Sequence, residues 1–219
     1  MRKLPIALAV AAVALVPSAP AQASGHSRCY LPGAHVVARD AAAVVLVKGA
    51  TERFGGPPYY GCAFRKGRHF RLNRPDDQTD TGWSPIKRRL IRLAGHIALT
   101  VQTPSCGACE SSTDEVVVTS LFSGRVVARA PQPLIIDDDA ANEEVTDAVL
   151  RSDGHAAYIY AIEPFNGTPV QYGVHVVASH GDQLVSAGPD VDPTSLEISA
   201  DHHGVTWTQG GQQRSASLD

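Results

Sequence analysis

The sequence predicts an all-β fold built from a repeated antiparallel unit. Gly67, Gly124 and Gly181 recur at a constant interval of 57 positions. Each lies between two short apolar runs, such as Val116–Leu121 before Gly124 and Val126–Ala128 after it. Glycine accepts positive φ without a Cβ clash, so it suits the tight turn of a hairpin. A fixed period of that kind marks one supersecondary unit used several times. The runs are rich in valine, isoleucine, tyrosine and threonine, as half-buried strands require.

Each unit reads as four strands. The first comprises 36–38, 43–47, 59–64 and 69–72, with a turn at Asp40. The second comprises 90–93, 96–101, 116–121 and 126–130, the third 148–150, 156–162, 171–178 and 183–186. The fourth has 196–199, 205–208 and 215–218, and ends one strand short. Helical signal is confined to 140–150, where Ala141, Val145 and Val149 follow a helical spacing that also suits a loop entering a strand.

Repeated four-stranded units suggest a four-unit β-propeller-like ring. Unpaired sheet edges invite aggregation, so the segment Ser27–Leu31 is expected to supply the missing strand outside Gln212–Leu218. The chain resembles secreted bacterial β-propeller repeat proteins over about 27–219, through strand rhythm and hairpin glycines. It lacks the Trp-Asp pair of WD repeats, and its units exceed the roughly 40–45 residues of a WD blade. The alternative architecture is a β-sandwich with long loops.

Residues 1–23 read as a signal peptide: Arg2-Lys3, an apolar stretch from Leu4 to Val16, then Ala21-Gln22-Ala23 as a cleavage site. The apolar core falls short of the roughly 20 residues a membrane span needs. The expected product is a secreted single domain, 24–219, with no transmembrane anchor. Losing Arg2 and Lys3 makes it two charges more negative than the −3 of the whole chain. That balance excludes a general nucleic-acid binder, which is normally basic.

Four cysteines in a secreted chain predict two disulfides. The favoured pairing is Cys29–Cys62 and Cys106–Cys109. Cys106-Gly107-Ala108-Cys109 lies between apolar runs, away from any helix start that would activate a redox CxxC. His96, His155 and His202-His203 share one place in their units, the turn between first and second strands, so they read as turn residues. No metal or other cofactor is expected. The acidic run Asp137–Asp139 with Glu143, Glu144 and Asp147 lacks the order of an EF-hand loop and reads as a solvated linker.

No nucleophile–base motif is present, so no catalytic residue is assigned. The candidate ligand-binding residues are Arg65, Arg68, Arg88 and Arg89 with Tyr59, Tyr60 and Trp83. A basic-aromatic group of this kind can take an anionic polymer; charged strand edges are the plainer reading. The leading functional expectation is a secreted binding or scaffolding module for an extracellular protein or polysaccharide. The alternative is an extracellular glycan hydrolase or lyase. A central cleft with paired carboxylates, or a His–carboxylate pair, favours the enzyme.

Overall fold

The computed structural model describes residues 26–49, 57–73, 86–103, 114–130, 141–164 and 167–219. Among these residues fifteen strands form four antiparallel sheets in chain order. The first contains β1 (Ala34–Arg39), β2 (Ala43–Lys48), β3 (Tyr59–Ala63) and β4 (His69–Arg71). The second contains β5 (Arg92–Ala94), β6 (Ile97–Gln102), β7 (Glu115–Ser120) and β8 (Val126–Ala130). The third contains β9 (Ala141–Leu150), β10 (Ala156–Pro164), β11 (Gln171–Ala178) and β12 (Gly181–Gly188). The fourth has β13 (Glu197–Ile198), β14 (Gly204–Gln209) and β15 (Gln212–Ser217). The repeated unit read from the sequence is therefore present.

Strand periodicity explains how the sheets stack. Successive side chains point to opposite faces, and all six residues of β6 are buried. Its Ile97, Leu99 and Val101 share a core with Ala156, Tyr158 and Tyr160 of the third sheet. Its Ala98 faces the other way, into a core with Ala43 and Val45 of the first. β10 repeats the device: Ala157 and Ile159 face Val205 and Trp207 of the fourth. Each inner sheet thus lends one face to the sheet before it and one to the sheet after.

The ring is corrected by the same observations. No core cluster among the described residues joins the first and fourth sheets. The four sheets are open layers packed face to face in a row, closer to a sandwich with loops than to a closed propeller. The expected closing strand is absent too. His26–Cys29 form a 3-10 turn, and Cys29 is disulfide-bonded to Cys62 on the first sheet. After it, the Ala34 amide donates to the Leu31 carbonyl, closing a turn over Pro32 and Gly33. Gly33 has φ 73°, the conformation a type II turn demands at its third position. β15 ends the fourth sheet as an edge, and its exposed Gln212, Gln213 and Arg214 blunt it with polar groups.

The periodic glycines do sit in tight turns. Gly124 has φ 71°, and a Cβ there would lie 2.1 Å from the Phe70 ring of the first sheet. Two further readings are revised. Strand β9 spans Ala141–Leu150, so 141–147 are strand instead of the loop or helical turn leading into 148–150, and Glu143, Glu144 and Asp147 belong to it instead of to a linker. His96, His155 and His202-His203 do lie in or beside the expected turns. Cys106, Cys109, Trp83 and Asp137–Asp139 lie outside the described residues. No helix among the described residues is long and apolar enough to cross a membrane.

The Cys29–Cys62 bridge closes a loop with a sequence separation of 33. Chain-entropy reasoning assigns such a loop roughly 3–4 kcal/mol. The double variant Cys29→Ala, Cys62→Ala should lose about that much in urea unfolding. A loss below about 1 kcal/mol would mean that the outer face of the first sheet is held by packing alone.

Candidate functional site

Chemistry-bearing side chains gather around β9, the edge strand of the third sheet. An edge strand presents unpaired backbone groups that must find partners. Side chains of the second sheet supply them. Asp114, 1% exposed in its side chain, accepts from the Val145 amide at 2.8 Å. The same carboxylate accepts from Thr103 Oγ1 at 2.7 Å and pairs with Lys87 Nζ at 2.7 Å. Arg92 Nε donates to the Ala148 carbonyl at 2.8 Å. Asp147 Oδ2 in turn accepts from the Leu196 amide, linking β9 to the fourth sheet.

Lys87 also reaches Glu144 at 2.8 Å, and Arg89 pairs with the same carboxylate. The Lys87 hydrogen bond, then the two positive charges, outweigh burial and hold Glu144 below the usual carboxylate range. Its neighbour Glu143 points the other way and is buried beside Tyr160. Glu143 Oε1 and Tyr160 Oη face each other without a hydrogen bond of normal geometry to any of the described residues. Burial first, then Glu143, pushes the Tyr160 phenol up.

Glu144, Thr146, Ala161, Glu163, Tyr172 and Pro193 line a solvent-open groove of about 250 Å³. The register explains the grouping. Ala161 of β10 lies opposite Glu144 on β9 and Tyr172 on β11. Glu163, two residues beyond Ala161, points to the same face. Glu144 and Glu163 form a cross-strand diagonal, a relation that places residues about 7–8 Å apart. The groove is left open because β10 runs on past Ala157 and Ile159, the residues that the fourth sheet covers.

Two other constellations contain histidine. His175 Nδ1 lies 3.2 Å from both oxygens of Asp182, and Tyr158 Oη donates to Asp182 Oδ2 at 2.8 Å. Burial, then Asp182, raises the Tyr158 phenol. The His175 ring stacks on Tyr158 with centroids 4.9 Å apart, and His175 is 8% exposed. This pair satisfies a buried polar network within the third sheet. The second lies at the turns, where Arg151 binds Asp153, Asp219 and His155. Its hydrogen bond, foremost, draws Asp153 down to about 2. Ser179, Asp153 and His155 border a cavity of about 140 Å³, the composition of a hydrolytic triad. Arginine can only donate, so His155 Nδ1 accepts from it and cannot take a proton there. Among the described residues no group of histidine, cysteine and carboxylates is arranged to hold a metal.

The basic-aromatic residues read from the sequence divide between two ends of the first sheet. Arg88 lies near Tyr59, which starts β3 and is buried. Burial raises the Tyr59 phenol, and the Arg88 charge opposes it. Tyr60 is half-buried and lies near Arg71. Arg65 and Arg68 flank the turn after β3, with the Arg68 guanidinium 5.1 Å from the centre of the Phe70 ring. A five-residue strand at about 3.3 Å per residue separates these ends by roughly 15 Å. Arg89 belongs instead to the Glu144 groove. Sequence reasoning missed Glu163 and Tyr172, which lie at the ends of two near-continuous apolar strands. No protein-family model matches this chain, and no curated protein matches it.

Lys87→Met leaves Asp114 buried without its cation, a change that typically costs about 3 kcal/mol. Glu144 has a depressed folded value, so its contribution is full above the ordinary carboxylate range and is lost as pH falls through the lowered value. The wild-type advantage over Lys87→Met should therefore shrink on acidification, as followed by urea unfolding across pH. A gap that is constant with pH would show that Lys87 acts only through its packing.

Proposed function

We propose that this chain is an extracellular glycan hydrolase or lyase acting in the groove between Glu144 and Glu163. The observation that carries the reading is the pair of carboxylates on neighbouring strands, facing one open groove floored by Ala161 and walled by Tyr172. Glycoside cleavage needs two carboxyl groups across the scissile bond, separated by about 5–9.5 Å according to stereochemistry. Strand positions in this diagonal relation stand about 7–8 Å apart, close enough for two glutamate side chains to bring their carboxyl groups within that span.

The two carboxylates have different surroundings, as an acid–base pair requires. Glu144 is held ionised by Lys87 and Arg89, which suits the anionic role of base or nucleophile. In this reading Glu163, exposed at the groove, takes the acid role toward the leaving oxygen. Tyr172 supplies the apolar face on which a sugar ring stacks, while Thr146, whose hydroxyl donates to the Ile159 carbonyl, offers its oxygen as an acceptor. An extracellular setting is supported by the leader pattern of residues 1–23 and by the Cys29–Cys62 disulfide, which belongs to oxidising compartments.

One observation favours a binding module instead: both cations already occupy Glu144, so its lone pairs serve structure as well as any ligand. Turnover separates the readings. The chain should release reducing ends, or unsaturated products for a lyase, from one member of a panel of envelope and plant polysaccharides. Glu163→Gln and Glu144→Gln should each lower the rate by at least about 100-fold, with the glycan still retained in affinity electrophoresis. Retention without turnover in the wild type would return the binding module; neither retention nor turnover would remove glycans altogether.

A further inference from the structure

We infer that the outer face of the first sheet is a second binding site, built for a small amphipathic carboxylate with a hydrocarbon tail. A groove of about 260 Å³ opens on this face, lined by Leu31, Val36, Arg39, Val44, Leu46 and Phe64 among others. Its place is set by an irregularity in β1. Val36 lies opposite Leu46 and Arg39 opposite Val44, while the register slips between Val36 and Ala38. Three positions apart on a regular strand, Val36 and Arg39 would point to opposite faces. The bulge restores them to one face and puts Val37 and Ala38 into the core shared with the second sheet. A single extra residue thus brings a cation onto an otherwise apolar wall.

That cation is positioned and available. The Arg39 guanidinium stands 5.3 Å from the centre of the Phe64 ring, whose face holds it over the groove. Among the described residues no carboxylate pairs with Arg39. The walls are apolar: Val44, Leu46 and Phe64 form a small core with the Cys29–Cys62 bridge. The mouth is apolar as well, since Val36 is 51% and Tyr30 72% exposed. The other end of the row differs, because the outward residues of β14 and β15 include Thr206, Thr208, Gln213 and Ser215. An unpaired guanidinium at the edge of an apolar trough complements a ligand with one carboxylate and a hydrocarbon body. The inference is independent of the Glu144 groove, which belongs to the third sheet.

The test titrates the full chain with octanoate, nonanoate and decanoate below their micelle concentrations, followed by calorimetry. Affinity should rise about threefold to fourfold for each added methylene until the groove is filled. Decanol should bind at least about tenfold more weakly than decanoate, and decyltrimethylammonium more weakly still. Arg39→Gln should bring decanoate down to the level of decanol while leaving the circular dichroism spectrum unchanged. Val36→Glu, a change at a half-exposed position, should abolish decanoate binding with the fold intact. Absence of decanoate binding, equal binding of the anion and the cation, or indifference to Arg39→Gln would each overturn the inference. So would a concentration-dependent dimer from which decanoate is excluded.

Discussion

Burial of both faces of a single strand holds this molecule together. β6 has no solvent face: Leu99 is fully buried toward the third sheet and Ala98 fully buried toward the first. β10 does the same between the second and fourth sheets through Tyr158 and Ile159. Fully burying a side chain of this size contributes about 1.5–3 kcal/mol, and each inner sheet draws that benefit from two neighbours. The outer sheets draw it from one. The first completes its burial with the disulfide-tied turn at Cys29, and the fourth turns a polar face to water.

A row of layers creates edges, and the polar chemistry of the protein follows from how they are managed. β9 is satisfied by Asp114 and Arg92 from the preceding sheet and joined through Asp147 to the next. Lys87 and Arg89, recruited to the same edge, fix Glu144 beside the groove. The candidate site is thus a by-product of fold construction: a strand longer than the sheet that covers it, next to an edge held by charge. The apolar trough beside Arg39 arises likewise, where a bulge meets the uncovered face of a terminal layer.

The repeated four-stranded unit was legible because period 2 and turn glycines are local signals, and most strands lie within a few residues of their expected positions. β9 was legible only at its end, 148–150, for a specific reason. Its register slips beside Thr146, so the residues facing the second sheet are Val145 and then Ala148 and Leu150. That spacing of three and two resembles a helical repeat more than a strand. The closing strand does not form because, although the apolar content of Cys29-Tyr30-Leu31 suits a strand, Pro32-Gly33 after it is turn chemistry and Cys62 holds Cys29 on the first sheet. Closure itself depends on which faces meet, and strand rhythm carries no information about that. The groove stayed hidden for a similar reason: Glu144, Glu163 and Tyr172 are brought together by register alone.

Amide hydrogen exchange measures the two-faced burial most directly. The open row requires the slowest exchange in β6 and β10, whose strands are paired on both sides and covered on both faces. β15, an unpartnered edge, should exchange among the fastest of the strands. Protection of β15 equal to that of β6 would mean that its outer edge is covered, and would contradict the open row.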